Sequence, residues 1–205
     1  MATSNAIRRL SAMDTATIHE SGAGTIMDGT IRLQAGTRIC GPALTVLSPP
    51  GDNLMIHLAV AQARRGDVLV VQCCDPGYGV WGEVLSVAAA ARGIMGLVLD
   101  GSVRDLPEMR ALGFPVFARG TALRGTGKSG RGEINIPIPC GGAIVRPGDV
   151  VAADESGIVV VGAADVEAIA DRAEERVRKE AAMMAQLRDG GTSVELLNLG
   201  RRGET

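Results

Sequence analysis

The feature that most restricts the fold is a regular alternation of apolar runs and helical segments in the middle of the chain. The apolar runs are DVLVVQC (67–73), IMGLVLD (94–100) and PVFAR (115–119), and the helical segments between them are EVLSVAAAARG (83–93) and DLPEMRALG (105–113). Strands that alternate with helices over short connections are parallel and buried on both faces. The pattern therefore predicts an α/β fold with a parallel βαβ core and right-handed crossovers.

The chain on either side of this core predicts further β structure and a long C-terminal helix. RICGPALTV (38–46) alternates as a strand does, and after Gly120 short β segments separated by Gly and Pro indicate an antiparallel or mixed second layer. From about Ala163 to Arg188, apolar residues recur at spacings of four and three, which is typical of a helix packed along another surface. We therefore expect one α/β domain over residues 1–162 and a C-terminal helix and tail over residues 163–205, packed on a neighbouring subunit.

Composition and charge exclude several classes of protein. The 21 Lys and Arg residues against 23 Asp and Glu residues give a formal net charge of −2, and the aromatic residues are one Trp, one Tyr and two Phe. Because nucleic-acid binders use basic surfaces and stacking side chains, we expect no nucleic-acid partner. The sequence has neither the roughly 18 consecutive apolar residues of a membrane span nor a signal peptide, so we expect a cytoplasmic protein without a membrane partner.

Residues that bind soft metals are scarce. The chain has four Cys and two His, and no two Cys form a CxxC pair. A zinc site of the usual type needs more such ligands. Any bound metal is therefore expected to be a hard cation that carboxylates hold.

Two predicted loops carry the residues best suited to chemistry. The glycine-rich loop 75–82 follows the first core strand, and the loop GSVR (101–104) follows the second. Ligands of a parallel sheet bind beyond the carboxyl ends of its strands. If these two strands are neighbours, Glu83, Arg104 and Asp105 converge on one cleft.

Each of these three residues has a chemical use. The helix that starts at Glu83 should present unpaired N–H groups, which suit a small carboxylate or phosphate, and Arg104 can hold the same anion. Asp105 and Glu83 offer oxygen ligands for Mg²⁺, and a metal with an arginine beside an anion pocket suits the stabilisation of an enolate. A structural role is also open, because acidic residues at helix starts are favoured as caps and by the helix dipole. Arg104, however, has little structural reason to lie between an apolar strand and a helix start.

Three further features need an interpretation. Gly125-Thr126-Gly127-Lys128-Ser129 is similar to part of the phosphate loop GxxxxGK[ST], but residue 122 is Ala and no helix is predicted after it, so we expect a flexible surface loop. His57, in a predicted helix that begins at Asn53, is expected to pack rather than to carry protons. Glu180 is a charged residue on the apolar seam of the C-terminal helix, which suggests a specific contact such as the cleft of a neighbouring subunit.

The pair Gly82-Glu83, followed twenty residues later by Arg104-Asp105, resembles the RraA-like superfamily. Within it the chain resembles the class II pyruvate aldolases, which act on 4-hydroxy-4-methyl-2-oxoglutarate and 4-carboxy-4-hydroxy-2-oxoadipate in aromatic catabolism. The supporting stretches cover most of residues 39–161 in the expected order: ICGPALTV, PPGDNLMIH, GDVLVV, GVWGEVLS, GLVLDGSVRD, LGFPVFARG and PGDVVAADESGIVVV. The resemblance implies a swivelling β/β/α domain, a homotrimer or a hexamer built as a dimer of trimers, and an active site between subunits.

The resemblance also implies roles for individual residues. Backbone amides at four consecutive positions would line the substrate carboxylate: Gly82, Glu83, Val84 and Leu85. Arg104 would bind the pyruvyl group and the enolate, and Asp105 would bind Mg²⁺ or Mn²⁺ directly. Glu83 would hold the metal through water, as would an acid from the C-terminal helix of the neighbouring chain. Glu180 is the best match for that acid by spacing, and Glu174 and Glu175 stay open.

The implied function is that of a metal-dependent carbon–carbon lyase. It would cleave a 4-hydroxy-2-oxo di- or tricarboxylic acid to pyruvate and a second 2-oxo acid, with oxaloacetate decarboxylation as a side activity. Asn53 and His57 would face the far end of the substrate. The alternative is an RraA-type regulator of ribonuclease E, a branch that lacks the Asp of the Arg-Asp pair, whereas Asp105 is present here. A methyltransferase is not indicated, because no S-adenosylmethionine-binding glycine motif follows a first strand.

Overall fold

The computed structural model describes residues 2–73 and 75–199, so Cys74 and the last six residues of the predicted tail lie outside the described part. The helices are α1 (Ala2–Leu10), α2 (Thr15–Glu20), α3 (Leu54–Gln62), α4 (Glu83–Arg92), α5 (Leu106–Leu112), α6 (Val166–Arg188) and α7 (Ser193–Leu196). The strands are β1 (Thr25–Ile26), β2 (Arg32–Ala35), β3 (Ile39–Leu47), β4 (Val68–Gln72), β5 (Gly79–Trp81), β6 (Gly96–Val103), β7 (Val116–Thr121), β8 (Glu133–Ile134), β9 (Ile138–Cys140), β10 (Ala143–Val145), β11 (Val150–Asp154) and β12 (Gly157–Val161).

The predicted parallel core is confirmed. Strands β3, β4, β6 and β7 lie side by side in that order, and each neighbouring pair is parallel. Helices α3, α4 and α5 make the connections between them. The two strands that precede the predicted functional loops, β4 and β6, are therefore direct neighbours, which was the condition for a shared cleft.

The predicted mixed second layer is also confirmed, and its strands are continuous with the parallel sheet through β3. Residues 39–42 of β3 pair with β11 and residues 43–47 pair with β4, so β3 belongs to both parts. Beyond β11 the order continues through β12 to β1, and β9 forms a separate two-stranded sheet with β10. Alternate side chains of β4 point to opposite faces of the sheet. Val68 and Val70 pack towards the antiparallel strands, whereas Leu69 and Val71 pack towards α3, α4 and α5.

A further helical layer covers the outer face of the antiparallel strands. Helices α1, α2 and α6 pack there in a third cluster of buried residues. In α6 the residues buried in this cluster all lie in the first turns, namely Val166, Ile169, Ala170 and Ala173. Val177, Met184 and Leu187, on the remainder of the predicted seam, are 43%, 47% and 37% exposed. The first turns of α6 thus pack on their own chain, and contact with a neighbouring subunit stays a prediction.

Two segments that were predicted as loops are strands. Residues 101–103 continue β6, because all three are buried and Ser102 and Val103 pair with β7. Gly79–Trp81 forms β5 alongside this extension. The glycines favoured a loop, but Val80 and Trp81 bury their side chains in the core, which stabilises the extended backbone. None of the described helices has the length and apolar composition needed to cross a membrane.

Candidate active site

A pocket of about 290 Å³ opens where the chain leaves β3, β5, β6 and β7. Four segments line it: the start of α3, the β5–α4 junction, the end of β6 and the loop after β7. The lining residues are Asn53, His57, Gly79, Val80, Trp81, Gly82, Val84, Leu85, Arg104, Asp105, Gly125, Thr126 and Lys128. The structure therefore brings Gly82, Val84, Leu85, Arg104, Asp105 and Asn53 to one cavity, and their roles there stay predictions.

The turn from β5 into α4 is fixed by a buried hydrogen-bond chain. The indole N–H of Trp81 donates to Oγ of Ser86 at 2.7 Å, and that hydroxyl donates to the carbonyl of Gly82 at 3.0 Å. Trp81 is 1% exposed and stacks on Phe114 with ring centroids 6.0 Å apart. Because the first N–H groups of a helix have no intrahelical acceptor, those of Val84 and Leu85 are available to an anion in the pocket.

Asp105 has an unusual backbone and an unusual set of partners. Its φ of 56° and ψ of 43° lie in the left-handed region, which few non-glycine residues adopt. Although Asp105 occupies the N-cap position of α5, its side chain makes no capping hydrogen bond there. Instead its Oδ2 accepts the backbone N–H of Glu83 at 3.2 Å and lies 3.5 Å from Nε of Arg104. The structural reading of Asp105 as a simple helix cap is therefore wrong, and its carboxylate faces the pocket.

Gly82 leaves the space that this carboxylate occupies. A Cβ at position 82 would lie 2.3 Å from Oδ2 of Asp105 and 3.2 Å from Cγ of Arg104. Gly79 is similar, because a Cβ there would lie 2.4 Å from the carbonyl oxygen of Ala122 and 3.0 Å from Cβ of Arg104. These two glycines permit the close packing of β5 against the Arg104-Asp105 pair.

Glu83 contributes its backbone to the site, but its side chain does not line the pocket. Its backbone N–H binds Asp105, but its side chain is exposed and is not among the lining groups. Within residues 2–73 and 75–199, no group of three or more His, Cys, Asp or Glu side chains is placed to hold a metal ion. The indirect role of Glu83 at a metal thus stays a prediction.

Asn53 and His57 form the α3 side of the pocket. Asn53 is 6% exposed, and its Nδ2 donates to the carbonyl of Val80 at 3.0 Å. Its Oδ1 is buried and has no hydrogen-bond partner among the described residues. Burial, together with the nearby Lys128 ammonium, lowers the pKa of His57 below its ordinary value, so the imidazole is neutral at pH 7. The buried Oδ1 of Asn53, which is an acceptor without a donor among the described residues, suits a hydroxyl or ammonium group of a ligand.

Sequence reasoning missed the contribution of the loop after β7. No helix follows residues 125–129, so the exclusion of a phosphate loop is confirmed. The expected surface position is confirmed, because residues 127–129 are exposed, but the loop is attached to the start of α3: Gly127 exchanges backbone hydrogen bonds with Gly51 and Asn53, at 2.8 and 3.1 Å. Thr126 and Lys128 consequently line the pocket. No local pattern signals this contact, since it joins segments more than seventy residues apart.

The three candidate acids of α6 do not line this pocket in their own chain. Each has a partner nearby: Glu180 pairs with Arg176 at 2.8 Å, Glu175 with Lys179 at 2.6 Å, and Glu174 with Arg9 of α1 at 2.9 Å. Helix α6 packs on the opposite side of the sheet from α3 and α4. Any contribution of Glu180 to the pocket therefore requires a second subunit.

Comparisons with known proteins agree with this architecture. The family model described as RraA-like, Aldolase/RraA, matches residues 11–160, which include every residue that lines the pocket. A protein of Halalkalibacterium halodurans named "Putative 4-hydroxy-4-methyl-2-oxoglutarate aldolase" is 37% identical over 154 residues, covering 74% of this chain and 73% of that protein.

Two solved structures are similar over most of their length. An uncharacterised protein from Pseudomonas syringae pv. tomato is 26% identical with a TM-score of 0.85, covering 96% of this chain and 94% of that one. A Streptomyces coelicolor protein, described as an unusual member of the RNase ES inhibitor RraA protein family, is 29% identical with a TM-score of 0.78, covering 88% and 96%.

Proposed function

The chain belongs to the RraA-like family, and from this premise we propose that it is a divalent-metal-dependent aldolase. The proposed reaction cleaves a 4-hydroxy-2-oxo di- or tricarboxylic acid to pyruvate and a second 2-oxo acid. The observation that carries the proposal is the Arg104-Asp105 pair, which faces the pocket at the cost of a left-handed backbone at Asp105. Such strain in a non-glycine residue is concentrated at functional sites.

The charges of the pocket favour an anionic substrate. Arg104 and Lys128 are both lining residues, and the N-terminus of α4 adds the N–H groups of Val84 and Leu85. A 2-oxo acid with two or three carboxylates can use these groups together. The N-terminus of α4 and Arg104 suit the pyruvyl carboxylate, and Lys128 suits a carboxylate further along the chain of the substrate.

The residues present fit a hard divalent cation. Oδ2 of Asp105 is held by the Glu83 N–H, whereas Oδ1 has no partner among the described residues. Mg²⁺ is held by one or two protein carboxylates and keeps several waters. In the proposal Asp105 would bind Mg²⁺ or Mn²⁺ directly. Glu83 of the same chain and Glu180 from a neighbouring subunit would each hold the cation through water. When bound, the cation supplies Lewis-acid stabilisation of the charge that develops on the 2-oxo oxygen.

In the proposed cleavage, Arg104 supplies the positive charge that the protein itself places at the reacting group. A base takes the proton of the 4-hydroxyl group, the bond between C3 and C4 breaks, and its electron pair becomes the enolate of pyruvate. The Arg104 guanidinium stabilises the enolate oxygen, and water then protonates C3. Oxaloacetate decarboxylation releases CO₂ to give the same enolate, so we expect it as a second activity.

A direct test is a coupled assay for pyruvate. Pyruvate release would be measured from 4-hydroxy-4-methyl-2-oxoglutarate, 4-carboxy-4-hydroxy-2-oxoadipate and oxaloacetate, first with Mg²⁺ and then with excess chelator. We expect release from oxaloacetate and from at least one aldol substrate, and its loss with chelator. Absence of pyruvate from all three substrates with Mg²⁺ or Mn²⁺ would overturn the proposal.

The second candidate function is regulation of ribonuclease E by binding. It is favoured by the similarity to the Streptomyces coelicolor member of the RNase ES inhibitor family. A pyruvate assay and a ribonuclease E binding assay on the same protein sample distinguish the two functions. Tight binding to ribonuclease E, together with no pyruvate release, supports the regulator. The presence of Asp105 in the pocket favours the aldolase.

A further inference from the structure

A buried carboxylate beside the pocket has no part in the proposed chemistry. Asp52 is 7% exposed and lies next to Asn53 at the start of α3. Its Oδ1 accepts the N–H of Leu54 at 2.8 Å, as a helix cap does. Its Oδ2 accepts the N–H of Ser129 at 2.8 Å, a contact across 77 positions of the chain. One carboxylate therefore joins the start of α3 to the loop after β7.

The loop is packed closely around this carboxylate. A Cβ at Gly127 would lie 2.8 Å from Oδ2 of Asp52, and a Cβ at Gly130 would lie 2.9 Å from its Cγ. The backbone of residue 127 also pairs with the residues on either side of Asp52. A side chain at either position would force the loop or the Asp52 carboxylate to move, so the two glycines allow the loop to pack directly on the Asp52 side chain.

These contacts place Lys128 between two attachment points. Gly127 is held by backbone hydrogen bonds and Ser129 by the carboxylate, so the Lys128 backbone has little freedom. Lys128 lines the pocket together with Thr126. A charged acceptor binds an N–H group more strongly than a neutral one, which makes Asp52 the strongest of these attachments.

We propose that Asp52 is a positioning residue that clamps residues 125–130 over the pocket and thereby holds Lys128 against the substrate. The clamp itself rests on the geometry alone, whereas the role of Lys128 at a substrate rests on the proposed function. Burial raises the pKa of Asp52, but the N–H groups of Leu54, Ser129 and Gly130 lower it by more, so the group stays ionised at neutral pH.

The clamp can be tested without any activity. Asp52→Asn keeps the shape of the side chain but loses the charge and one of the two acceptor oxygens. We expect amide hydrogen exchange in residues 127–130 to be about tenfold faster, because a charge-assisted hydrogen bond is lost, while exchange in β4 and β6 is unchanged. Asp67→Asn is the matched control, since Asp67 accepts the N–H of Arg64 in an exposed turn, and it should leave the loop unchanged. Unchanged exchange in Asp52→Asn would overturn the clamp.

A second variant guards against loss of folding in Asp52→Asn. Gly130→Ala leaves the carboxylate intact and pushes the loop away, because its Cβ would lie 2.5 Å from Cγ of Pro49 as well as close to Asp52. The same local increase in exchange is expected. If residues 127–130 exchange as slowly as in the wild type, the loop is not held by this contact.

The positioning role is tested by a double-mutant cycle with Lys128. Asp52→Asn and Lys128→Met are each expected to raise the KM for 4-hydroxy-4-methyl-2-oxoglutarate by about tenfold with little change in kcat. The double variant should show no further rise, because Asp52 acts through Lys128. Additive effects on KM would refute the positioning role. If the wild type makes no pyruvate at all, the proposed function fails, and the exchange measurement still decides the clamp.

Discussion

At the scale of single residues, the site depends on departures from local preference. Asp105 adopts a left-handed backbone and leaves its own helix uncapped, while its carboxylate reaches the start of α4. Gly82 provides the space for that carboxylate. Strain of this kind costs on the order of 1–3 kcal/mol and persists where the surroundings enforce it. The surroundings here are β5 and the end of β6, which pair with each other.

The variant Gly82→Ala should change the activity of this site with little effect on the stability of the fold. The new methyl group would displace Oδ2 of Asp105, which is the mobile end of a half-exposed side chain, so the fold can yield at little cost. Misplacement of a reacting group by about 1 Å costs about 10²-fold in rate. We expect kcat for oxaloacetate decarboxylation to fall by about that factor, with a melting temperature within a few degrees of the wild type. A normal kcat would show that the Asp105 position is not critical.

The residues of the site differ in how far the sequence reveals them. Arg104, Asp105 and Gly82 lie in or directly after the two segments that follow the predicted core strands, so the strand pattern pointed to this edge of the sheet although it missed β5 and the end of β6. Lys128 follows no such rule, because a long-range contact to Asp52 brings it to the pocket. The strained backbone of Asp105 is equally invisible in the sequence, since it arises from tertiary contacts.

At the scale of elements, β6 connects the parallel strands to the rest of the molecule. Asp100 in β6 binds Arg119 of β7 through both carboxylate oxygens, at 2.5 and 3.1 Å. Its Oδ2 also accepts the N–H of Gly141, in the turn between β9 and β10, at 3.0 Å. The sequence predicted β6 as ending at this residue. The extension to Val103 was missed because glycine favours loops, whereas burial and pairing with β7 decide the outcome.

Asp100→Asn should weaken this connection in a pH-dependent way. Burial raises the pKa of Asp100, but Arg119 and the N–H of Gly141 lower it by more, so the folded-state pKa lies below the unfolded value of about 3.9. The contribution to stability is thus full above about pH 4 and is lost as the pH falls through the folded-state pKa. We expect a loss of about 1–3 kcal/mol in the free energy of unfolding at pH 7, measured in urea, and a smaller gap at pH 3.

The exposed turn residue Glu155 supplies the control for this measurement. Glu155→Gln also removes one carboxylate, and a change below about 0.5 kcal/mol is expected. Equal losses for Asp100→Asn and Glu155→Gln at pH 7 would contradict the importance of the buried pair.

At the scale of the whole molecule, only the first part of α6 is buried against its own chain. Its first turns cover the antiparallel strands, whereas Val177, Met184 and Leu187 are substantially exposed. The heptad-like spacing identified the helix, but spacing cannot tell whether the packing partner is the same chain or another. Under the proposed function, the exposed part carries Glu180 to the pocket of a neighbouring subunit.

Subunit mixing tests this sharing of the site. Asp105→Ala and Glu180→Ala should each lower aldolase activity severely as separate homo-oligomers. If each pocket takes Asp105 from one chain and Glu180 from its neighbour, random mixing restores both residues in about a quarter of the pockets. Coexpressed variants should therefore regain a fraction of wild-type activity close to that value. No recovery in mixed oligomers would show that Glu180 does not act across the interface.

The most direct test of the proposed enolate chemistry does not depend on the identity of the aldol substrate. Exchange of the methyl protons of pyruvate with D₂O, followed by proton NMR, reports formation of the enolate. With Mg²⁺ or Mn²⁺ the wild type should catalyse this exchange, and chelator, Asp105→Ala or Arg104→Met should abolish it in folded protein. Exchange that persists in Asp105→Ala, or that is absent from the wild type with metal, would contradict the assignment of this pocket as a metal-dependent enolate site.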